Sequence, residues 1–294
     1  HTPLTPLDDK ELGYCERDLK VMYEGLKDEL KIYKSVWKLP LTSTGKVRRI
    51  VKELLMADDE YRRYIKELIP EDAYQYDLSL KVFAGGYTHA NRLYFNIIWY
   101  NIAGRDGCHV DYTSDYPFQM CCRKFPCTGW ALCENRLPDP DTFKDKAYKM
   151  HLSFKKIECQ KASTFIPVNN KVKLLGAEVD NGRLISAESC DIWVTELDWD
   201  IIRKVYKWKS VRVLEIWEAE KDYLPVEFVN FILQLFHDKT VLKGVNDAEC
   251  ALQKGRLNGL FGMCCTALLQ AEIIWKTDIE DWTIKRITKE DIET

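Results

Sequence analysis

The chain has 294 residues, 43 Lys plus Arg against 46 Asp plus Glu, and a formal net charge of -3. With 46% hydrophobic, 30% charged and 12% aromatic residues, collagen, coiled-coil and disordered classes are excluded. No apolar run approaches the ~20 residues that span a bilayer, so no membrane partner is expected; a length of this order suggests about two domains.

No signal peptide is recognisable at the N-terminus. The 11 Cys include the doublets Cys121-Cys122 and Cys264-Cys265, which make poor disulfide frameworks. Reduced thiols and a cytoplasmic location are expected. The near-neutral charge does not announce a nucleic-acid binder, but a basic cleft can hide in a neutral average.

Apolar residues near helical spacing predict a first helix over 10–38, ended by Pro40. A second amphipathic helix is expected from about Val47 to Ile69, closed by Pro70. A Gly-centred bend follows at Phe83-Ala84-Gly85-Gly86-Tyr87. Strands are expected around Tyr94–Tyr100 and Cys108–Tyr112, and Pro117 suits the first turn of a helix through Met120 and Arg123. The proline-containing stretch 125–170 reads as irregular.

Downstream, Lys171–Val179 and Arg183–Ile185 flank Asp180-Asn181-Gly182, a hairpin turn signal. Ile192–Thr195 reads as a short strand, and Asp198 as the cap of a helix through Tyr206. Val211–Trp217 reads as a strand, Val226–His237 and Ala248 to Gly262 as helices, and Glu272–Ile287 as alternating strands. The mixture is α+β with antiparallel sheets.

Two segments carry chemistry. In Asp111-Tyr112-Thr113-Ser114-Asp115-Tyr116-Pro117, a carboxylate at a strand end precedes a tight turn into a helix. Such a carboxylate can hold Mg²⁺, which takes one or two carboxylates with phosphate and water. A surface Asp before a capped helix explains the segment equally well. In Lys254-Gly255-Arg256-Leu257-Asn258-Gly259-Leu260-Phe261-Gly262, Lys254, Asn258 and Phe261 share one helical face. A cation, an amide and a ring on one face suit a nucleotide. The plainer reading is an amphipathic helix capped by Gly262.

Together and in this order, the segments resemble motifs A and B of the protein-primed branch of family B DNA polymerases, as found in phages and linear plasmids. Asp111, Ser114, Tyr116 and Pro117 match D-x-x-S-x-Y-P. Lys254, Asn258 and Gly262 match K-x-x-x-N-S-x-Y-G, with Gly259 for the Ser and Phe261 for the Tyr. Phe83-Ala84-Gly85-Gly86 is similar to the Y-x-G-G segment between exonuclease and polymerase domains. Tyr14 and Asp18 are similar to the third exonuclease motif, Y-x-x-x-D.

The resemblance implies an α+β fold: a polymerase palm of antiparallel sheet plus helices, helical fingers and a β-rich insertion. It implies the end of an exonuclease domain with a helical linker over 1–82, and palm with motif A over 83–135. A terminal-protein-type insertion would span 136–220, fingers with motif B 221–266, and a returning palm segment 267–294. Asp111 would bind the two catalytic Mg²⁺ ions. Tyr116 would be the steric gate that excludes a ribose 2′-hydroxyl. Lys254 would hold the incoming triphosphate, with Lys243 and Lys239, about three helical turns upstream, as candidates for a second phosphate contact. Cys250, four residues before Lys254, would supply none. Asn258 and Phe261 would pack on the nascent base pair. Ser114, Gly85 and Gly86 would touch DNA, or Ser114 the priming protein. Tyr14 and Asp18 would be an exonuclease remnant.

Implied partners are a DNA template-primer, deoxynucleoside triphosphates and a terminal protein, in a bacterial host cytoplasm if the source is a phage or plasmid. The sequence departs from the family in lacking Y-x-D-T-D, which completes the metal site, and the first two exonuclease motifs. The chain therefore reads as an internal fragment, expected to be inactive alone. The alternatives are a non-catalytic polymerase-like module that binds DNA or a priming protein, and an unrelated α+β protein with chance motifs. Cys121, Cys122, Cys127 and Cys133 lack a zinc-ligand spacing and read as packing or free thiols. Trp193, Trp199, Trp208 and Trp217 read as core of the β-rich unit.

Overall fold

The computed structural model describes residues 6, 8–40, 42–88 and 110–265. The expected strand Tyr94–Tyr100 and the alternating segment Glu272–Ile287 lie outside them, as does the start of Cys108–Tyr112. Two packed bodies carry the fold, one helical and one built on an antiparallel sheet.

Helix α1 (Asp9–Tyr33) opens with a capping box in which Asp8 and Glu11 exchange backbone hydrogen bonds. It ends earlier than the expected 10–38: Lys34 takes a left-handed cap conformation and a separate 3₁₀ turn covers Val36–Lys38. The single helix expected over 47–69 is instead two, α2 (Ser43–Leu55) and α3 (Asp59–Leu68). Asp58 causes the break, because its side chain accepts from Tyr61 N and starts a new helix there. Helix α4 (Ala73–Val82), which the sequence reading missed, starts with the same device at Asp72.

Helix α5 (Asp115–Cys122) holds Pro117 in its first turn, as expected. Short strands β1 (Phe125–Pro126) and β2 (Ala131–Leu132) lead to β3 (Lys146–Cys159). This long strand corrects the irregular reading of 125–170. Its alternation Met150-His151-Leu152-Ser153-Phe154-Lys155 has the period of a half-buried strand, and the nearby prolines lie outside it.

Strands β4 (Lys173–Leu175) and β5 (Glu178–Asp180) replace the single strand expected over Lys171–Val179. Gly176, at φ 59, separates them. The hairpin at Asp180-Asn181-Gly182 forms as expected: Asp180 pairs with Arg183, and Asn181 and Gly182 both take positive φ. The two short strands expected beyond it are one strand, β6 (Arg183–Thr195).

Helix α6 (Glu196–Val205) is capped by Thr195, not Asp198. Asp198 sits at the third helical position and its carboxylate accepts a hydrogen bond from Thr195 N, completing a capping box. After β7 (Tyr206–Lys207) and β8 (Ser210–Asp222), helices α7 (Val226–Leu242) and α8 (Asp247–Cys264) follow. Gly262 lies inside α8, and Cys265 caps it, correcting the expected stop at Gly262.

The sheet runs β1-β8-β3-β6-β4, with every pairing antiparallel and β3 at its centre. Met150, Leu152 and Phe154 of β3 are fully buried against Ile192, Val194 and Trp199. A second core joins α2, α3, α5, α7 and α8 through Val47, Val51, Tyr61, Met120, Phe228, Ile232, Leu257 and Leu260. Helix α1 buries no residue. It is tied to α2 by the Lys46–Glu29 ion pair and by Arg49 over the Tyr33 ring, 4.6 Å from its centroid.

Cys121 packs on the helical core and Cys133 on the sheet core. Trp199 is buried, and Trp208 packs beside it at 5.5 Å between centroids. On the other sheet face, Trp193 stacks on His151 at 4.8 Å. No helix among the described residues is long and apolar enough to cross a membrane.

Candidate functional site

The two sequence segments singled out for chemistry meet in space. Tyr116, at the start of α5, stacks on Phe261 of α8 with ring centroids 4.0 Å apart and planes 16° from parallel. Helix α5 places Tyr116 there because Pro117 and Met120, on its other side, are buried. Helix α8 places Phe261 there because Leu257 and Leu260 anchor it in the helical core. Tyr116 remains about half exposed at 49%, so part of its ring is free to meet a ligand.

Ser114 precedes α5 with a left-handed backbone, φ 54 and ψ 49. That conformation is costly for a residue with a Cβ and persists only where its surroundings hold it. Its hydroxyl does not cap the helix; it accepts a hydrogen bond from Lys239 Nζ at 2.7 Å.

Lys239 belongs to α7, and Lys243 follows that helix as its cap. Both therefore lie upstream of the helix that carries Lys254, not on it. A turn at Lys243–Asn246, with Gly244 at φ 76, separates α7 from α8. The cations nevertheless gather: burial, then the charges of Lys254 and Lys243, push the Lys239 ammonium below its ordinary pKa. A cluster of like charges at one end of a helix pair is an anion-attracting feature.

Lys254 and Asn258 are exposed on α8 and Phe261 is half-buried, so the expected face is the one α8 turns outward. Gly86 closes the site from the linker after α4. A Cβ there would stand 3.1 Å from the Tyr116 hydroxyl, whereas Gly85 has open space. The linker is pinned to the sheet body. Tyr87 Oη donates to Thr164 O at 2.6 Å, and Lys171 Nζ reaches Leu80 O and Phe83 O at 2.8 Å each. Gly86 is thus fixed from one body while Tyr116 is fixed by the other.

Asp111 is exposed, and Val110–Tyr112 form no strand among the described residues. Two-metal chemistry needs several donors around each ion. Among the described residues no group of three or more His, Cys, Asp or Glu is placed to hold a metal ion. The nearby Asp115 carboxylate is engaged by Gln119 Nε2 at 3.1 Å. The donor set described here does not fit a two-metal centre. Tyr14 and Asp18 are both exposed on α1, away from any buried surface of that helix.

The sequence reading missed Lys149. Beyond Tyr116 a cleft of about 1030 Å³ opens between α5 and the sheet, and Lys149 lines it. Lys149 is 3% exposed. Its Nζ donates to Ser79 Oγ at 2.7 Å and lies 4.0 Å from the centroid of the Trp130 ring. Burial alone lowers its pKa to about 8. Its alternation with Met150 and Leu152 marks it as a strand residue of the polar face; no sequence signal shows that Trp130 and α4 cover that face.

No protein-family model matches the sequence, and no curated protein does. Solved structures with a similar fold include several of Phi29 DNA polymerase. The complex with primer-template DNA (post-translocation binary complex) has a TM-score of 0.61 and 18% identity, over 89% of this chain and 42% of that one. The complex with single-stranded DNA has the same TM-score and identity, over 89% and 41%. The ternary complex with primer-template DNA and incoming nucleotide substrates gives 0.60 and 18%, over 87% and 41%. This chain therefore spans about two-fifths of the polymerase it resembles. At this identity the likeness establishes the fold, a mixed α+β architecture with an antiparallel sheet and eight α-helices among the described residues.

Proposed function

We propose that the chain is the palm-and-fingers part of a DNA polymerase of the protein-primed family B type, acting on template-primer DNA and deoxynucleoside triphosphates. One observation carries this reading: segments distant in sequence, 111–117 and 254–262, meet through the Tyr116–Phe261 stack, beside the Ser114–Lys239 bond. In it, the exposed face of Tyr116 selects against a ribose 2′-hydroxyl, Lys254 and Lys239 attract the triphosphate, and Asn258 and Phe261 adjoin the base pair. Lys243 adds to the same positive field. In this reading Ser114, Gly85 and Gly86 would meet DNA, or Ser114 the terminal protein. The division at 82, 135, 220 and 266 belongs to this proposal, as do the exonuclease origin of Tyr14 and Asp18 and a cytoplasmic location.

Asp111 would be one carboxylate toward Mg²⁺, and the described residues hold no group of three or more donors that would complete such a site. A second reading is favoured by the incomplete donor set: a polymerase-like module that binds DNA or a priming protein without catalysis. Titration of the whole chain with a fluorescent deoxynucleoside triphosphate tests the site. Binding that weakens about tenfold or more in Lys254→Met supports it; absence of binding overturns it. Primer extension with Mg²⁺ or Mn²⁺ separates the two readings, because incorporation abolished by Asp111→Ala contradicts the non-catalytic one.

A further inference from the structure

We propose that the cleft beyond Tyr116 contains a second phosphate-binding subsite, built from Lys149, Arg123 and Lys144 and separate from the cations of α7 and α8. The anion class rests on the polymerase-type reading; the existence of the subsite rests on the cleft itself.

The cleft carries more positive charge than its own carboxylates neutralise. Lys124 is taken up by Asp145 at 2.8 Å, and Lys221 by Glu196 at 2.9 Å, with Glu196 also accepting from Tyr148 N. Arg123, Lys144 and Lys149 also line it, and none makes an ion pair among the described residues. Arg123 Nε donates to the neutral Gln119 side chain at 3.0 Å. Lys149 has only a hydroxyl and a ring.

A buried ammonium without a counter-ion is unusual, since charged groups taken out of water are paired or give up their charge. The lowered pKa of Lys149 reflects that strain. Two of its three N–H donors have no acceptor among the described residues other than the Trp130 face. An arriving phosphate supplies both acceptors and charge. Arg123 and Lys144, exposed on the wall, can guide it in, and Lys149 and the Trp130 ring both line the cleft. Aromatic rings among cations suit a single strand, whose bases stack while its phosphates are neutralised.

The test is fluorescence anisotropy of the whole chain with a labelled single-stranded oligodeoxythymidylate, from 50 to 200 mM salt on the scale of known phosphate contacts. Losing one phosphate contact lowers the salt slope by about 0.7 for a single strand. Lys149→Met is expected to show that loss with severalfold weaker binding, Lys149→Arg to restore it, and Lys254→Met to leave the Lys149 contribution in place. The surface pair Arg123→Gln and Lys144→Gln, which leaves the buried Lys149 in place, must lower the slope as well. Inorganic tripolyphosphate provides the second arm. Competition by it at equal phosphate concentration assigns the subsite to free polyphosphate, and competition by the strand alone assigns it to a nucleic-acid backbone. A salt slope unchanged in both the Lys149 and the Arg123/Lys144 variants overturns the proposal, whether or not Lys254 binds nucleotide.

Discussion

Replacing Lys149 with Met should stabilise the chain at neutral pH, and the gain should vanish in alkali. An unfolded lysine titrates near 10.4, whereas burial brings Lys149 to about 8. Below pH 8 both states carry the proton, and the folded state bears the full desolvation cost. Each pKa unit is about 1.4 kcal/mol, so the cost is about 3 kcal/mol. The Trp130 ring and Ser79 hydroxyl are lost as partners on substitution, which removes about 1–2 kcal/mol of the gain. Between pH 8 and 10.4 the unfolded chain binds more protons than the folded one, so wild-type stability rises relative to the variant with increasing pH. Urea unfolding of both proteins at intervals from pH 7 to 10.5 reads this as a difference that shifts by about 3 kcal/mol toward the wild type, so the variant's net gain of about 1–2 kcal/mol at pH 7 is cancelled and then reversed. A difference that stays flat across that range would refute the argument, since Lys149 would then titrate alike in both states.

Three further outcomes follow from individual contacts. Glu196→Gln leaves the Lys221 ammonium without its carboxylate at a site where both side chains are under a tenth exposed, at 8% and 6%; a loss of about 3 kcal/mol is expected in urea unfolding. Gly86→Ala places a methyl 3.1 Å from the Tyr116 hydroxyl; the ring must shift, so the near-ultraviolet circular dichroism of the Tyr116–Phe261 pair should change while thermal stability falls by no more than about 1 kcal/mol. Leu152→Ala, in the centre of β3, removes a fully buried side chain and should cost about 2–5 kcal/mol in the same unfolding assay.

Local chemistry was legible in the sequence at two turns where a single residue type decides the outcome, though the helix caps Asp58, Asp72 and Thr195 went unread. Asp180-Asn181-Gly182 specified its hairpin because positive φ at two adjacent positions is cheap there. Pro117 marked the first turn of α5 for a comparable reason. Long-range cover was not legible. The prolines of 125–170 hid β3 although its alternation was present, and Asp58 split a helix whose apolar stripe ran through the break. Of the site, Tyr116, Phe261, Ser114 and Lys239 were each selected, but on separate grounds. Their contacts depend on two cores turning α5, α7 and α8 toward one another, which no local pattern encodes. Lys149 escaped notice because its burial comes from Trp130 and α4, and Gly86 was named for its freedom of approach to DNA when its nearest constraint is Tyr116.

The central claim is that Tyr116, held by Phe261, faces the sugar of a bound nucleotide. The most direct measurement is the ratio of affinities of the whole chain for a deoxynucleoside and the matching ribonucleoside triphosphate, before and after Tyr116→Ala. The account predicts a preference for the deoxynucleotide in the wild type that collapses toward equality in the variant, through tighter ribonucleotide binding. Equal affinities in the wild type, or a preference that survives loss of the ring, would contradict it.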